Sequence, residues 1–296
     1  MREKSFGRLV FIAGANEGRY PFCNSLFIND EISAIIDPSS DEMVLRKLHR
    51  DKEIDIIVNS HYHEDHTNGN YLFPDADLYV HREETACYQS IDALLDCYGL
   101  NGSEFETVWR DTLIHSFNYR ERTPTVEFQE GSELSFGETR MVVIHTPGHT
   151  PGHCSFYFPD EKVLFLGDLD LTRFGPWYGD RVSDIDDTIA SVHRLLLIPA
   201  EIFITSHEIG IVEGNLSERA EQYLEVINQR EAALCTFLCR PRSLSEIIAQ
   251  WIIYKRPRAP RWFFEFAERA MITKHLERLA KKGGVIFDGE KYRLTT

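Results

Sequence analysis

Within six residues, His61-Tyr62-His63-Glu64-Asp65-His66, the chain sets three imidazoles and the Asp65 carboxylate close together. Neutral imidazole and carboxylate are borderline-to-hard donors suited to Zn, Fe or Mn, so the stretch is a candidate metal site whose ligand types leave the metal open. His61 and His63 alternate around Tyr62 and so point the same way off an extended backbone, while Asp65 and His66 turn the corner behind them. The run just before, Ile54 to Ser60 (IDIIVNS), reads as a buried strand, which puts the donors where a strand gives way to a loop.

The same design returns three times. Met141 to His145 leads into Thr146-Pro147-Gly148-His149, Val163 to Gly167 into Asp168, and Ile202 to Ser206 into His207. Four apolar runs thus end in a group able to bind a cation, and loops at the strand ends of a rigid sheet are where such chemistry is held in register. A cation held there would lower the pKa of a bound water toward ~7 and polarise a carbonyl or phosphoryl oxygen. No G-x-S-x-G elbow or Walker loop occurs in the sequence, and this chemistry needs neither. His145 and His153 flank His149 and suit supporting hydrogen bonds; His81 and His193 fall in strand and helix patterns and suit core or surface roles.

The elements that must position these groups follow from periodicity. Leu9–Ala15, Ser25–Asn29, Ile32–Ile36, Leu78–His81, Thr125–Phe128, Glu133–Phe136 and Met141–His145 read as strands, with Asp37-Pro38-Ser39-Ser40 closing the third as a turn. Met43, Val44 and Leu48 indicate an amphipathic helix ahead of the first motif. Ala86, Ile91, Leu94, Leu95 and Tyr98 give one helical face, and Phe105 to Leu113 a second, so residues 83–117 form a helical insertion that either covers the site or packs outside it. Asp184 or Ser183 caps a helix whose apolar face is Ile185, Ile189, Val192, Leu195 and Leu196.

H-x-H-x-D-H, then TPGHTPGH, FLGD and a late Ser-His resemble the metallo-β-lactamase fold superfamily over about residues 6–214. The resemblance implies an α/β (α+β) fold: an αββα sandwich of two mixed β-sheets flanked by helices, with a dinuclear metal centre at one edge. Carried over residue by residue, His61, His63 and His149 bind one metal, Asp65, His66 and His207 the other, and Asp168 bridges them. Asp65 and Asp168 are then the catalytic carboxylates. The set is similar to the glyoxalase II type, implying two divalent ions, Zn first with Fe or Mn as alternatives. Asp65-His66-Thr67-Asn68-Gly69 departs from the common D-H-x-G-G continuation, which weakens transfer of substrate fit. The loop after Asp168 offers Arg173 and Tyr178 as residues that could reach a substrate anion.

Composition bounds the rest. The 296 residues carry a formal charge of −15, unevenly: from Thr236 onward there are 13 Lys and Arg against 6 Asp and Glu, and before it 19 against 41. Residues 216–296 read as three helices and a hairpin turned at Asp288-Gly289, resembling a winged-helix domain behind a catalytic domain of residues 1–215. That basic tail could bind RNA or dock on the acidic body or a second copy in a homodimer; docking is the favoured reading, because no aromatic-basic RNA signature is present. Six cysteines without C-x-x-C pairs suggest reduced thiols, and with neither signal peptide nor spanning helix a soluble cytoplasmic protein is expected, with no membrane partner. The expected function is hydrolysis of an ester, thioester or related acyl bond in a small anionic molecule by the metal-held hydroxide. A metal-dependent ribonuclease and a mono-iron persulfide-type oxygenase are the alternatives.

Overall fold

The computed structural model describes residues 3–295. Its first sheet holds seven strands in sequence order: β1 (Glu3–Phe6), β2 (Leu9–Ile12), β3 (Ser25–Ile28), β4 (Ala34–Ile36), β5 (Ile56–Val58), β6 (Asp77–His81) and β7 (Val126–Phe128). The second holds β8 (Glu133–Ser135), β9 (Arg140–His145), β10 (Cys154–Phe158), β11 (Val163–Phe165), β12 (Ile202–Ile204) and β13 (Ile211–Glu213), also neighbours in order. Pairing is antiparallel from β1 to β4 and parallel from β4 to β7; in the second sheet only β11 and β12 run parallel. Both sheets are mixed, as the resemblance implied.

The short apolar runs are buried on both faces, and their period of two sorts them into layers. Leu26, Ile28, Ile36 and Val58 of the first sheet meet Met141, Val143, Phe156 and Phe165 of the second in one cluster between the sheets. Each fully buried Phe there contributes roughly 1.5–3 kcal/mol. The alternate residues Phe27, Ile35 and Ile57 face outward onto Leu45 of helix α1 (Glu42–Asp51), and Ile144, Leu164 and Phe203 onto Val192 and Leu195 of a helix described below. Helix, sheet, sheet and helix are the resulting layers.

After α1 come α2 (Glu64–Thr67), then α3 (Thr85–Gln89), α4 (Ile91–Tyr98) and α5 (Glu106–His115) between β6 and β7, then α6 (Ile185–Leu195), α7 (Ser217–Phe237), α8 (Leu244–Ile248) and α9 (Arg261–Lys281). A two-stranded hairpin, β14 (Val285–Phe287) and β15 (Tyr292–Leu294), closes the chain. Several local readings change. Met43 is exposed and Leu45 is the buried residue of α1, because the Asp41 cap sets the helix phase. The single face predicted over 86–98 is two helices, since Ser90 is extended and caps α4. In the tail, Ser243 opens α8 through a capping box with Glu246.

The tail is fastened to the body. Tyr178 and Ile185 share a core with Ile227 and Leu234 of α7 and Met271 and Ile272 of α9. Buried Arg230 donates to the Phe174 and Pro176 carbonyls (2.6 and 2.8 Å), while Arg278 and Lys282 pair with Asp186 at 2.7 and 3.6 Å. Basic side chains of residues 216–296 thus meet acceptors of the preceding chain. Helix α7 packs at its start against the outer layer through Ala220 and Tyr223, so packing continues across residue 215.

Candidate metal centre

Topology gathers the loops. β9 and β11 are both antiparallel to β10, and β12 is parallel to β11, so the carboxyl ends of β9, β11 and β12 share one edge. The end of β5 reaches that edge, where Cys154 N–H donates to the Ser60 carbonyl (2.9 Å), and Asn24 N–H to the Ser206 carbonyl (2.6 Å). His61, His63 and His66 follow β5, His149 follows β9, Asp168 follows β11 and His207 follows β12. Ligands of open α/β sheets favour such carboxyl ends.

The donor atoms converge as two groups. His149 Nε2 lies 3.2 Å from His61 Nε2, 2.9 Å from His63 Nδ1 and 3.3 Å from Asp168 Oδ2. His66 Nε2 lies 3.2 Å from His207 Nε2 and 2.8 Å from Asp168 Oδ1, and Asp65 Oδ2 is 3.5 Å from His207 Nε2. Asp168 therefore turns one oxygen to each group. All seven side chains singled out in the sequence are at this centre.

The outer ring nitrogens show which atoms carry protons. His149 Nδ1 donates to the Trp177 carbonyl (3.0 Å) and His207 Nδ1 to the Gly18 carbonyl (2.7 Å). His63 Nε2 donates to Asp180 (2.8 Å) and His66 Nδ1 to Asp37 (2.9 Å). Ser60 Oγ donates to Asp37 (2.6 Å) and is left to accept from His61 Nδ1 (3.0 Å). Each neutral imidazole then presents a bare lone pair inward, and lone pairs 2.9–3.2 Å apart repel unless a cation lies between. Bonds of about 2.0–2.1 Å to nitrogen place tetrahedral ligands about 3.3 Å apart, close to these spacings. Asp168 Oδ1, buried without a hydrogen bond, is the matching orphaned anion. The residues fit divalent cations.

Charge follows the same arrangement. Burial opposes ionisation of Asp168, but His66, His207 and His61 outweigh it and hold its carboxyl well below the usual range. Burial likewise opposes protonation of His63 and His207, but Asp180 lifts the first to about 9, and Asp168 with Asp170 lifts the second to about 10. A proton and a divalent cation compete for the same inward lone pair, so metal binding there releases protons.

Supporting residues extend beyond the sequence reading. Asp37 takes three donors from the centre: Ser60 N–H on one oxygen and Ser60 Oγ and His66 Nδ1 on the other. Glu84, lifted to about 7 by burial, accepts from Tyr62 N–H, Thr150 Oγ1 and Gly152 N–H, tying the His61 loop to the His149 loop. His153, pushed down to about 3 by burial, accepts the Asp168 N–H at 2.9 Å. Gly167 adopts φ +62°, and a Cβ there would lie 2.4 Å from His153 Nε2, so only glycine lets the Asp168 loop pass. Of these, Asp37 had a sequence signal: like Asp168, it is a carboxylate directly after an apolar run. Asp180 and Glu84 had none.

Two residues proposed for substrate are not in position. Tyr178 is fully buried, its hydroxyl held by Arg230 and His275 at 2.7 Å each, and Arg173 is exposed away from the cavity. The loop instead contributes Phe174 and Trp177 to a cavity of about 520 Å³ over the donor groups. Tyr98 and Trp109 of the 83–117 insertion line it too, so the insertion covers the site. A third set, His81, Glu83 and His145, lies behind. Its imidazoles stack at 4.3 Å with planes 15° apart.

Comparison with known proteins agrees with this geometry. Residues 19–207 match the family model described as the metallo-beta-lactamase superfamily. A hydroxyacylglutathione hydrolase of Synechococcus sp. (strain JA-3-3Ab) is 32% identical over 68% of this chain and 71% of its own length. An acyl-coenzyme A thioesterase of Homo sapiens is 30% identical over 48% of this chain and half of its own. The crystal structure of a metallo-beta-lactamase family protein from Thermus thermophilus superposes with TM-score 0.74 at 22% identity, covering 97% of this chain and 99% of the other. That likeness carries the fold through the tail helices as well. With the family model spanning 19–207 and containing every one of the seven converging side chains, the chain belongs to the metallo-beta-lactamase superfamily.

Proposed function

We propose that this protein is a metal-dependent hydrolase of thioesters, its centre holding two divalent cations, zinc first among them. The observation that carries the reading is the pair of donor groups sharing Asp168 beneath a cavity wide enough for a small organic substrate. His61, His63 and His149 would hold one ion, Asp65, His66 and His207 the other, with Asp168 reaching both. Bound there, the cations supply an activated water and an electrophile for a carbonyl oxygen.

The chain's own part is orientation and exclusion. Asp37, Asp180 and the Trp177 carbonyl fix the imidazoles so that their lone pairs stay inward. Trp177 sets its edge against His63 and His149 (5.4 and 5.6 Å between ring centres) and keeps bulk water from that side. The tyrosine hydroxyls of the cavity are largely committed: Tyr20 and Tyr98 donate to Glu64 at 2.8 and 2.5 Å, and Tyr223 to the Asp168 carbonyl at 3.3 Å. A thiolate, whose thiol titrates near ~8.5, departs without a proton donor, which favours a thioester over an ester. Two relatives named for thioester substrates support the same choice.

The other readings draw less support. A ribonuclease requires room for a strand, whereas residues of the tail wall the cavity. A mono-iron oxygenase leaves Asp65, His66 and His207 without a purpose. Thiol release from a panel of thioesters by the zinc-loaded protein is the test. Turnover abolished by chelation and by Asp168→Ala, in a folded variant, is expected; zinc-loaded protein inert toward every thioester would overturn the reading.

A further inference from the structure

The cavity wall facing the donor groups comes from the tail, between Tyr254 and Ala267, and it is aromatic. Phe263 lies 5.6 Å from Trp109 and 6.2 Å from Tyr20, ring centre to ring centre, and Trp262 5.5 Å from Phe105, so the tail segment and the 83–117 insertion close over the centre as one aromatic surface. On the floor, Tyr98 stacks on His63 at 5.6 Å. With their hydroxyls committed to Glu64, Tyr20 and Tyr98 offer their ring faces to a ligand. At the same cavity, Arg258 sits over the rings of Tyr254 and Phe264 (5.4 and 5.8 Å). Among the described residues no carboxylate pairs with it, whereas Arg19, the other arginine at this cavity, faces Glu17 and Glu208.

We propose that this aromatic enclosure selects thioesters with a bulky apolar acyl group, and that Arg258 holds an anionic group on the thiol portion. The proposal rests on the thioesterase reading and adds to it which half of the substrate each wall reads. Against this wall a small acyl group gains little burial, while each added methylene gains more. Arg258, exposed and already stacked, can take up a phosphate or carboxylate without being desolvated.

The test uses zinc-loaded full-length protein and four thioesters, acetyl, lactoyl, octanoyl and phenylacetyl, each prepared on coenzyme A and on uncharged N-acetylcysteamine. Octanoyl or phenylacetyl compounds should exceed acetyl and lactoyl in kcat/KM by about a hundredfold. Phe263→Ala should cut that preference about tenfold, read as the ratio of octanoyl to acetyl kcat/KM; Arg258→Ala should raise KM about tenfold more for coenzyme A esters than for the N-acetylcysteamine esters. Cleavage with acetyl or lactoyl preferred overturns the acyl assignment and leaves the hydrolase reading standing. Equal loss on charged and uncharged thiols overturns the role of Arg258. If no thioester is cleaved, the hydrolase reading falls by itself, and binding decides the cavity. Trp109, Trp177 and Trp262 line it, so octanoate should quench tryptophan fluorescence at concentrations where acetate does not, with the effect lost in Phe263→Ala. Absence of that quench overturns the proposal.

Discussion

Replacing Asp37 by Asn should injure both halves of the centre at once. The carboxylate accepts three hydrogen bonds: Ser60 N–H at 2.8 Å on one oxygen, and Ser60 Oγ at 2.6 Å and His66 Nδ1 at 2.9 Å on the other. An amide offers a single acceptor oxygen, so either orientation turns its NH2 group toward at least one of these donors. Asp37 is fully buried and water cannot step in. Losing one charge-assisted bond and leaving a buried donor unpaired costs about 2–4 kcal/mol, a fall in Tm of several degrees for a chain of this size. The damage spreads because Ser60 passes the support to His61 in one donor group while His66 belongs to the other. Each metal affinity should therefore drop about 10–100-fold. Chelator competition resolves two binding steps, and calorimetry of the metal-free variant reports the fold. Unchanged affinity in either step would refute the claim that one carboxylate steadies both groups.

Other changes should be narrower. Asp180 accepts from the Tyr62 hydroxyl and from His63, the one imidazole of the centre that it touches, so in Asp180→Asn one of the two binding steps should weaken about 10–100-fold and the other stay put in the same competition assay. Gly167→Ala drives a Cβ into His153 and disturbs the Asp168 N–H contact, and thiol release should fall about a hundredfold or more with secondary structure retained by circular dichroism. Arg230→Ala strips donors from the Phe174 and Pro176 carbonyls and the Tyr178 hydroxyl, and should lower unfolding free energy by about 3 kcal/mol or more in denaturant titrations. In metal-free protein His63 and His207 are more basic folded than unfolded, near 9 and 10. Their contribution to stability is complete below about pH 6.5 and fades as pH climbs through 9 to 10, while metal binding strengthens over the same rise and releases protons that calorimetry in buffers of different ionisation enthalpy can count.

The centre was legible because its donors sit directly after apolar runs, and a run buried on both faces announces a central strand whose end is fixed. The runs before His61, His149, Asp168 and His207 show this, and the order of the loops along the chain gave the family resemblance. Strands at the margins were harder to read. β1 and β13 are short edge strands with half-exposed patterns, and β10, Cys154–Phe158, follows a Gly/Pro loop closely enough to pass as its continuation. Asp37 followed an apolar run like the others but was read as a turn residue, since Pro38 and two serines came after it. Asp180 and Arg173 show the opposite limit: which residue of a loop turns inward is set by distant packing, here the core that Tyr178 shares with α7 and α9. The cavity's aromatic wall was invisible for that reason, because Trp262 and Phe263 meet Trp109 only after the tail docks.

Diffraction from crystals grown with zinc, recorded on both sides of the zinc absorption edge, bears on the centre most directly. The account predicts two anomalous peaks, one among His61, His63 and His149 and one among Asp65, His66 and His207, with Asp168 placing an oxygen at each. A single peak, or two peaks with Asp168 turned away from either, would contradict it.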